Sequence, residues 1–118
     1  KITDQASLKL SAQWYLNQGV KNIFISLGSE GTFAANAQFM GKVLSKPVHP
    51  VNTNGAGDSF IAAMVMTSLD TDDIREWAKN GVAASIIAVL SESTINRAMT
   101  PELINEIKKE YQIEWKNI

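Results

Sequence analysis

The chain has 118 residues, 45% hydrophobic and 19% charged, with 11 basic and 12 acidic side chains and a net charge of −1. That suits one globular domain with a modest core and leaves no basic field to hold nucleic acid or an anionic membrane. The absence of cysteine excludes disulfide frameworks, thiol catalysis and thiolate metal sites, and with neither a bilayer-length apolar run nor a signal-peptide pattern the expected location is cytoplasmic.

The chain opens on Lys1 within a few residues of a helical pattern, which points to a piece of a longer protein. Thr3 and Asp4 are capping residues, and Ala6, Leu8, Leu10, Ala12, Trp14, Tyr15 and Leu16 predict an amphipathic helix with its stop at Gly19. Val20 to Leu27 reads as a buried strand, because the apolar run is short and rich in β-formers. Gly28-Ser29-Glu30-Gly31 is a tight turn, followed by short strands over Thr32 to Ala35 and Phe39 to Leu44, joined through Asn36-Ala37-Gln38. Lys46 to Pro50 is extended around its two prolines. Helix, glycine and strand in that order make half of an α/β unit.

Gly57 to Leu69 predicts a second helix, apolar around most of its circumference and therefore expected to be buried. Asp70 to Asp73 forms a loop capping a third helix, from about Asp72 to Leu90. Ser91 to Met99 is a polar connection. Thr100-Pro101-Glu102 starts a last helix with proline at its first position, running to about Tyr111, and Gln112 to Ile118 is a tail. No repeat, low-complexity tract or interdomain linker interrupts the chain.

The chemistry concentrates at the mouth of the second helix. Gly55, Ala56 and Gly57 are small enough for a ligand to approach the backbone closely. Their N–H groups, with the positive end of the helix dipole behind them, form an anion seat. Asp58 follows on the first turn, either as a helix-start carboxylate or as a base beside a bound phosphate. Phosphoryl transfer asks for little more: a held terminal phosphate, offset charge, and an acceptor hydroxyl relieved of its proton. Two other glycine motifs fail. The dinucleotide pattern needs a glycine where Phe60 stands, which counts against an oxidoreductase, and the Walker pattern occurs nowhere.

Asn52 to Val65 resembles, position by position, the second signature of the ribokinase-like (PfkB) carbohydrate kinases, Asp-Thr-x-Gly-Ala-Gly-Asp. Ile25 to Gly31 resembles the family's Thr-Leu-Gly-x-x-Gly segment, and Trp77 to Ala84 resembles its Ala-Asn-Ala-Ala-Ala helix around Asn80. The resemblance covers almost the whole chain but only the C-terminal part of the family. It implies an α/β fold: the C-terminal, nucleotide-binding half of a three-layer α/β/α architecture with a mixed sheet between helices, spanning residues 1–118, the N-terminal substrate and lid portion being absent.

It also implies roles. Asp58 would be the catalytic base, and Gly55, Ala56 and Gly57 the anion hole. Ser26, Gly28, Gly31 and Asn80 would line the ATP site, with Thr53 and Asn54 near the phosphates. Mg2+ would arrive with ATP, held mostly by phosphate and water, and no protein metal site is implied. The family pattern is broken at Asn52, where many relatives carry an aspartate that helps hold a monovalent cation; potassium activation is therefore not implied. Ser91-Glu92-Ser93-Thr94-Ile95-Asn96 resembles a Ser-x-x-Thr-Val-Asn stretch of the pseudouridine kinase branch, so the implied acceptor leans to that nucleoside ahead of ribose, fructose and fructose phosphates. A piece of this kind is expected to be inactive alone, and apolar surface where a missing half packs would favour self-association into a homo-oligomer. The competing expectation is a kinase-derived module that binds nucleotide or a partner without chemistry.

Bland readings stand beside these. Gly28 and Gly31 also fit plain hairpin glycines. His49, flanked by prolines, reads as a surface or packing residue. Trp14, Trp77 and Trp115 fit packing positions, Asp70, Asp72 and Asp73 capping, and Glu106, Lys108, Lys109 and Glu110 a solvated helix face.

Overall fold

Asp4 sets the first element. In the computed structural model, which describes residues 4–49, 55–90 and 100–118, its carboxylate accepts the Ser7 amide at 2.7 Å and caps α1 (Gln5–Asn17). At the far end, Gly19 takes φ 98° and donates to Leu16, while Val20 donates to Tyr15, both at 3.1 Å. This pair of bonds is a Schellman stop. It holds Val20 against the helix end, so β1 (Ile23–Ser26) starts later than the apolar run suggests.

A single 3-10 turn over Gly28–Glu30 leads into β2 (Thr32–Ala35), and β3 (Met40–Leu44) follows. Asn36 makes the hairpin: its side-chain oxygen accepts from Gln38 at 2.9 Å and Phe39 at 2.8 Å, which assigns Phe39 to the turn rather than the strand. The expected tail contains β4 (Glu114–Asn117), which pairs with β3 and opposes Trp115 to Val43. Strand order is β1-β2-β3-β4, and every pairing among the described residues is antiparallel, not the mixed arrangement expected.

The sheet lies between two helical layers, and β2 shows why. Alternate side chains of a strand face opposite sides. Phe33 and Ala35 join Leu8 and Ala12 of α1, with Ile23 beside them. Ala34 joins the opposite core with Ile74, Ala78, Ala83 and Ile86 of α3 (Ile74–Leu90) and Ile107 of α4 (Pro101–Glu110). All four β2 residues are buried because both faces are covered. Phe24 of β1 stacks on Trp77 of α3, ring centroids 6.3 Å apart.

Loop and cap chemistry follow the expected pattern in the second half. The Asp73 carboxylate accepts the Arg75 amide at 2.9 Å to start α3, and the Thr100 hydroxyl accepts the Leu103 amide at 3.1 Å ahead of Pro101. α2 (Ala56–Ser68) departs from expectation. Only Ala63 is buried; Ile61 is 58% exposed, Val65 56%, Met66 66% and Leu69 76%. Its apolar circumference reads as a buried helix, but among the described residues α3 is the main element packed against it. The cores belong to α1, α3 and α4.

Candidate functional site

The approach to α2 begins with Gly55 at φ 80°, a left-handed conformation that glycine adopts without a Cβ penalty. The first intrahelical bond runs from the Ser59 amide to the Gly55 carbonyl at 2.9 Å. The amides of Ala56, Gly57 and Asp58 precede that bond, and no described residue accepts from them. A Cβ placed on Gly55 or Gly57 would meet nothing within 4 Å, so open space lies over the backbone. Three donors without an acceptor among the described residues thus stand at the positive end of a 13-residue helix, the kind of helix start that favours an anion.

Asp58 stands on the first turn, exposed, and no described side chain pairs with it. Asn52, Thr53 and Asn54 lie outside the described residues.

Two adjoining cavities connect this seat to the β1 turn. One, about 420 Å³, is lined by Ser26, Thr32, Ala56, Gly57, Phe60 and Ser85. The second, about 220 Å³, contains Gly28 and Gly31 and is walled by Val48, Val82, Ile86 and Val89. Ser26, Thr32, Phe60 and Ser85 line both. The expected residues Ser26, Gly28 and Gly31 therefore share one groove with Ala56 and Gly57. Its α2 end carries the Ala56 and Gly57 backbone beside Phe24, Ile61 and Met64, and its other end lies between the 3-10 turn and α3, with Ser45 among the valines.

The two turn glycines differ. Gly31 at φ 92° lies so close to β3 that an added Cβ would stand 2.1 Å from the Val43 carbonyl oxygen, which supports the hairpin reading of that residue. Gly28, at φ 64°, would meet nothing within 4 Å.

Asn80 is not part of this groove. Two residues along a helix turn the side chain by about 200°, so Asn80 faces away from Val82. Its amide nitrogen donates to Thr67 at 3.0 Å, and it lines a separate cleft of about 540 Å³ with Thr67, Glu76 and Ile104. Sequence reasoning missed Ser85, which has a visible signal: it is the single polar residue in the run Val82 to Leu90.

Charge in the structure lies elsewhere. Arg75 holds the Asp73 carboxyl below the usual carboxylate range through hydrogen bonds and its charge, and its guanidinium sits 4.1 Å from the Phe39 ring centroid. Burial pushes the Glu76 carboxyl up, but Lys79 at 2.6 Å and Lys108 at 3.4 Å together hold it below its ordinary value. Among the described residues, no group of three or more His, Asp or Glu side chains converges to hold a metal, and no helix is long and apolar enough to cross a membrane.

Residues 1–101 match the pfkB family carbohydrate kinases, and the chain belongs to that family. It is 30% identical over 95 residues to the ATP-dependent 6-phosphofructokinase isozyme 2 of Escherichia coli, covering 80% of this chain and 31% of that one. With the ribokinase of Staphylococcus aureus it shares 28% identity over 108 residues, 91% of this chain and 36% of the relative. The fold superimposes on phosphofructokinase-2 from Escherichia coli, solved in complex with potassium, with a TM-score of 0.80 at 27% identity, covering 93% of this chain and 35% of that one. It superimposes on ribokinase from Thermotoga maritima with a TM-score of 0.70 at 26% identity, covering 86% and 34%. The fold is ribokinase-like α/β, and the chain spans about a third of the relatives' length (31% and 36% of the two named).

Proposed function

We propose that this member of the pfkB family supplies the nucleotide-binding part of an ATP-dependent phosphotransferase acting on a sugar or nucleoside hydroxyl. One observation carries the proposal: Ala56 and Gly57, whose amides no described residue accepts, line the same groove as Ser26, Gly28 and Gly31. The surface of Val48, Val82 and Val89 suits a base; the helix start at Ala56 and Gly57 suits phosphates. Asp58 takes the proton of the acceptor hydroxyl as its oxygen bonds to the terminal phosphorus and the bond to the leaving diphosphate breaks. The amides of Gly55, Ala56 and Gly57 offset the negative charge on the transferred group. Thr53 and Asn54 fall beside these amides in sequence and are assigned to the phosphates. Mg2+ arrives on the nucleotide, neutralising phosphate charge. Asn80, in the other cleft, is not assigned to the nucleotide.

Because relatives are about three times as long, the acceptor site and efficient turnover are assigned to structure beyond these 118 residues, and the chain alone is expected to bind without turning over. The named relatives are phosphofructokinases and ribokinases, which supports a sugar or sugar-phosphate acceptor. Ser91 to Asn96, outside the described residues, favours pseudouridine as the second candidate. The exposed strip of Ile61, Val65, Met66 and Leu69 supports self-association, which light scattering across concentration tests.

Calorimetric titration with MgATP tests the central reading, with dose-dependent thermal stabilisation as a second readout. Saturable binding competed by ADP is expected; its absence overturns the nucleotide assignment. A kinase assay with a full-length form across fructose 6-phosphate, ribose, fructose and pseudouridine then identifies the acceptor.

A further inference from the structure

Serine and threonine inside helices commonly return their hydroxyl proton to a carbonyl of their own preceding turn. Two residues of α2 do so: Thr67 donates to Ala63 at 2.7 Å and Ser68 to Val65 at 2.6 Å. Ser85 of α3 does not. Its hydroxyl reaches across to the Ala56 carbonyl of α2 at 3.1 Å, a partner 29 residues away in sequence. Ala56 is the first residue of α2, so this bond is anchored on the turn whose amides no described residue accepts.

A second contact lies one turn away on each helix. Gly81, four residues before Ser85, faces Phe60, four residues after Ala56. A Cβ on Gly81 would stand 3.0 Å from three atoms of the Phe60 ring, so the ring rests directly on the α3 backbone. One contact alone would leave α2 free to rotate or slide. Two, a turn apart on matching faces, fix both its rotation about its axis and its position along α3. Ser85 and Phe60 also line both halves of the groove, so the joint forms the groove's wall where its two ends meet.

We propose that Ser85 and Gly81 are positioning residues for the anion seat: the Ser85–Ala56 bond and the Gly81–Phe60 contact aim the Ala56 and Gly57 amides into the groove. The inference rests on the nucleotide reading above and adds what holds the phosphate end in place. Binding of charge by fixed dipoles depends on their direction, so a small rotation of the first turn weakens phosphate binding and leaves a base at the other end undisturbed.

The test compares MgATP and adenosine affinities by calorimetry for the wild type, Ser85→Ala, Ser85→Thr and Gly81→Ala. Ser85→Ala is expected to weaken MgATP on the order of tenfold while adenosine stays within about twofold; Ser85→Thr keeps the hydroxyl and restores MgATP. Gly81→Ala pushes the Phe60 ring off the α3 backbone, so a purely structural position would lose stability and weaken both ligands alike. Here the loss for MgATP exceeds that for adenosine. Equal losses for the two ligands, or none for MgATP, overturn the proposal. A wild type that binds MgATP alongside such a result leaves the nucleotide reading intact, whereas a wild type that binds neither ligand removes that reading itself. Amide chemical shifts read the joint without any ligand: the Gly57 and Asp58 resonances move in Ser85→Ala and return in Ser85→Thr, and resonances that stay fixed in Ser85→Ala sink the clamp. Should Ser85→Ala fail to fold, Ser85→Cys, which keeps the volume with a weaker donor, is expected to give the same selective loss in smaller measure.

Discussion

A Cβ on Gly31 would lie 2.1 Å from the carbonyl oxygen of Val43. That oxygen belongs to β3 backbone held in the sheet and cannot yield as a side chain would. Gly31 also sits at φ 92° and ψ −154°, a region essentially reserved for glycine, where an L side chain costs about 1–3 kcal/mol before any clash. Gly31→Ala is therefore expected to destabilise the fold by about 3 kcal/mol or more in urea unfolding, the clash adding to the backbone term. Gly28→Ala, with φ 64° but open space around its Cβ, should lose only about 1–2 kcal/mol. Equal losses at the two positions would contradict the close packing of the turn on β3.

The pairing of β4 depends on a similar absence of side chain. A Cβ on Gly41 would come within 2.5 Å of both the Trp115 ring and the Lys116 carbonyl. Gly41→Val should lift β4 from the sheet, exposing Val43, which is fully buried. The expected readout is loss of amide protection over residues 114–117 with protection of β1 and β2 retained. A loss of about 2–3 kcal/mol accompanies it, the scale of an uncovered core side chain.

That pairing also marks a limit of what the sequence discloses. Glu114-Trp115-Lys116-Asn117 has one apolar residue in four and no alternation to signal a strand. It becomes one because Gly41 leaves room for an indole and because Gln112, at φ 51°, turns the chain back from α4. The first cause is non-local, and the second is a left-handed conformation that a glutamine does not announce. Caps and turns with local hydrogen bonds were legible: Asp4, Gly19, Asn36, Asp73 and Thr100 each carry their own partner within a few residues. The glycine turn before α2 was legible for the same reason. α2 shows the opposite case, since composition gives its apolar circumference but not whether another element covers it. Helix phase decides where Asn80 stands: its motif resemblance leaves the register open, and residues 80 and 82 of α3 line different clefts.

Acid should weaken the start of α3. Hydrogen bonds and charge from Arg75 depress the Asp73 carboxyl, and Lys79 with Lys108 depress that of Glu76 against the upward push of burial. A carboxylate depressed in the folded state contributes stability above its unfolded value, near 4, which is lost as pH falls through the folded value. Stability is thus expected to be level above about pH 5 and to fall below it. The Asp73–Arg75 pair is partly exposed, so its share is under about 1 kcal/mol. Asp73→Asn keeps a capping oxygen and removes the charge; it should flatten the slope of stability between about pH 5 and pH 3. An unchanged slope would mean that other carboxylates dominate.

Asp58 provides the sharpest test of chemistry against capping. As a helix-start carboxylate it would stabilise α2 by about 0.5–1 kcal/mol through the dipole, and its loss would show in unfolding and nowhere else. As the base it would leave binding untouched, because its carboxylate takes part only when the acceptor hydroxyl loses its proton. Asp58→Asn keeps the size and removes the proton-accepting charge. MgATP affinity measured by calorimetry is expected to stay within about threefold or to tighten, since a negative neighbour of the phosphates has gone. In a full-length form that turns over, kcat should fall by about 10²–10⁴. The two readings separate cleanly: a stability loss with normal kcat assigns Asp58 to the helix start, and a large kcat loss with intact nucleotide binding assigns it to the proton.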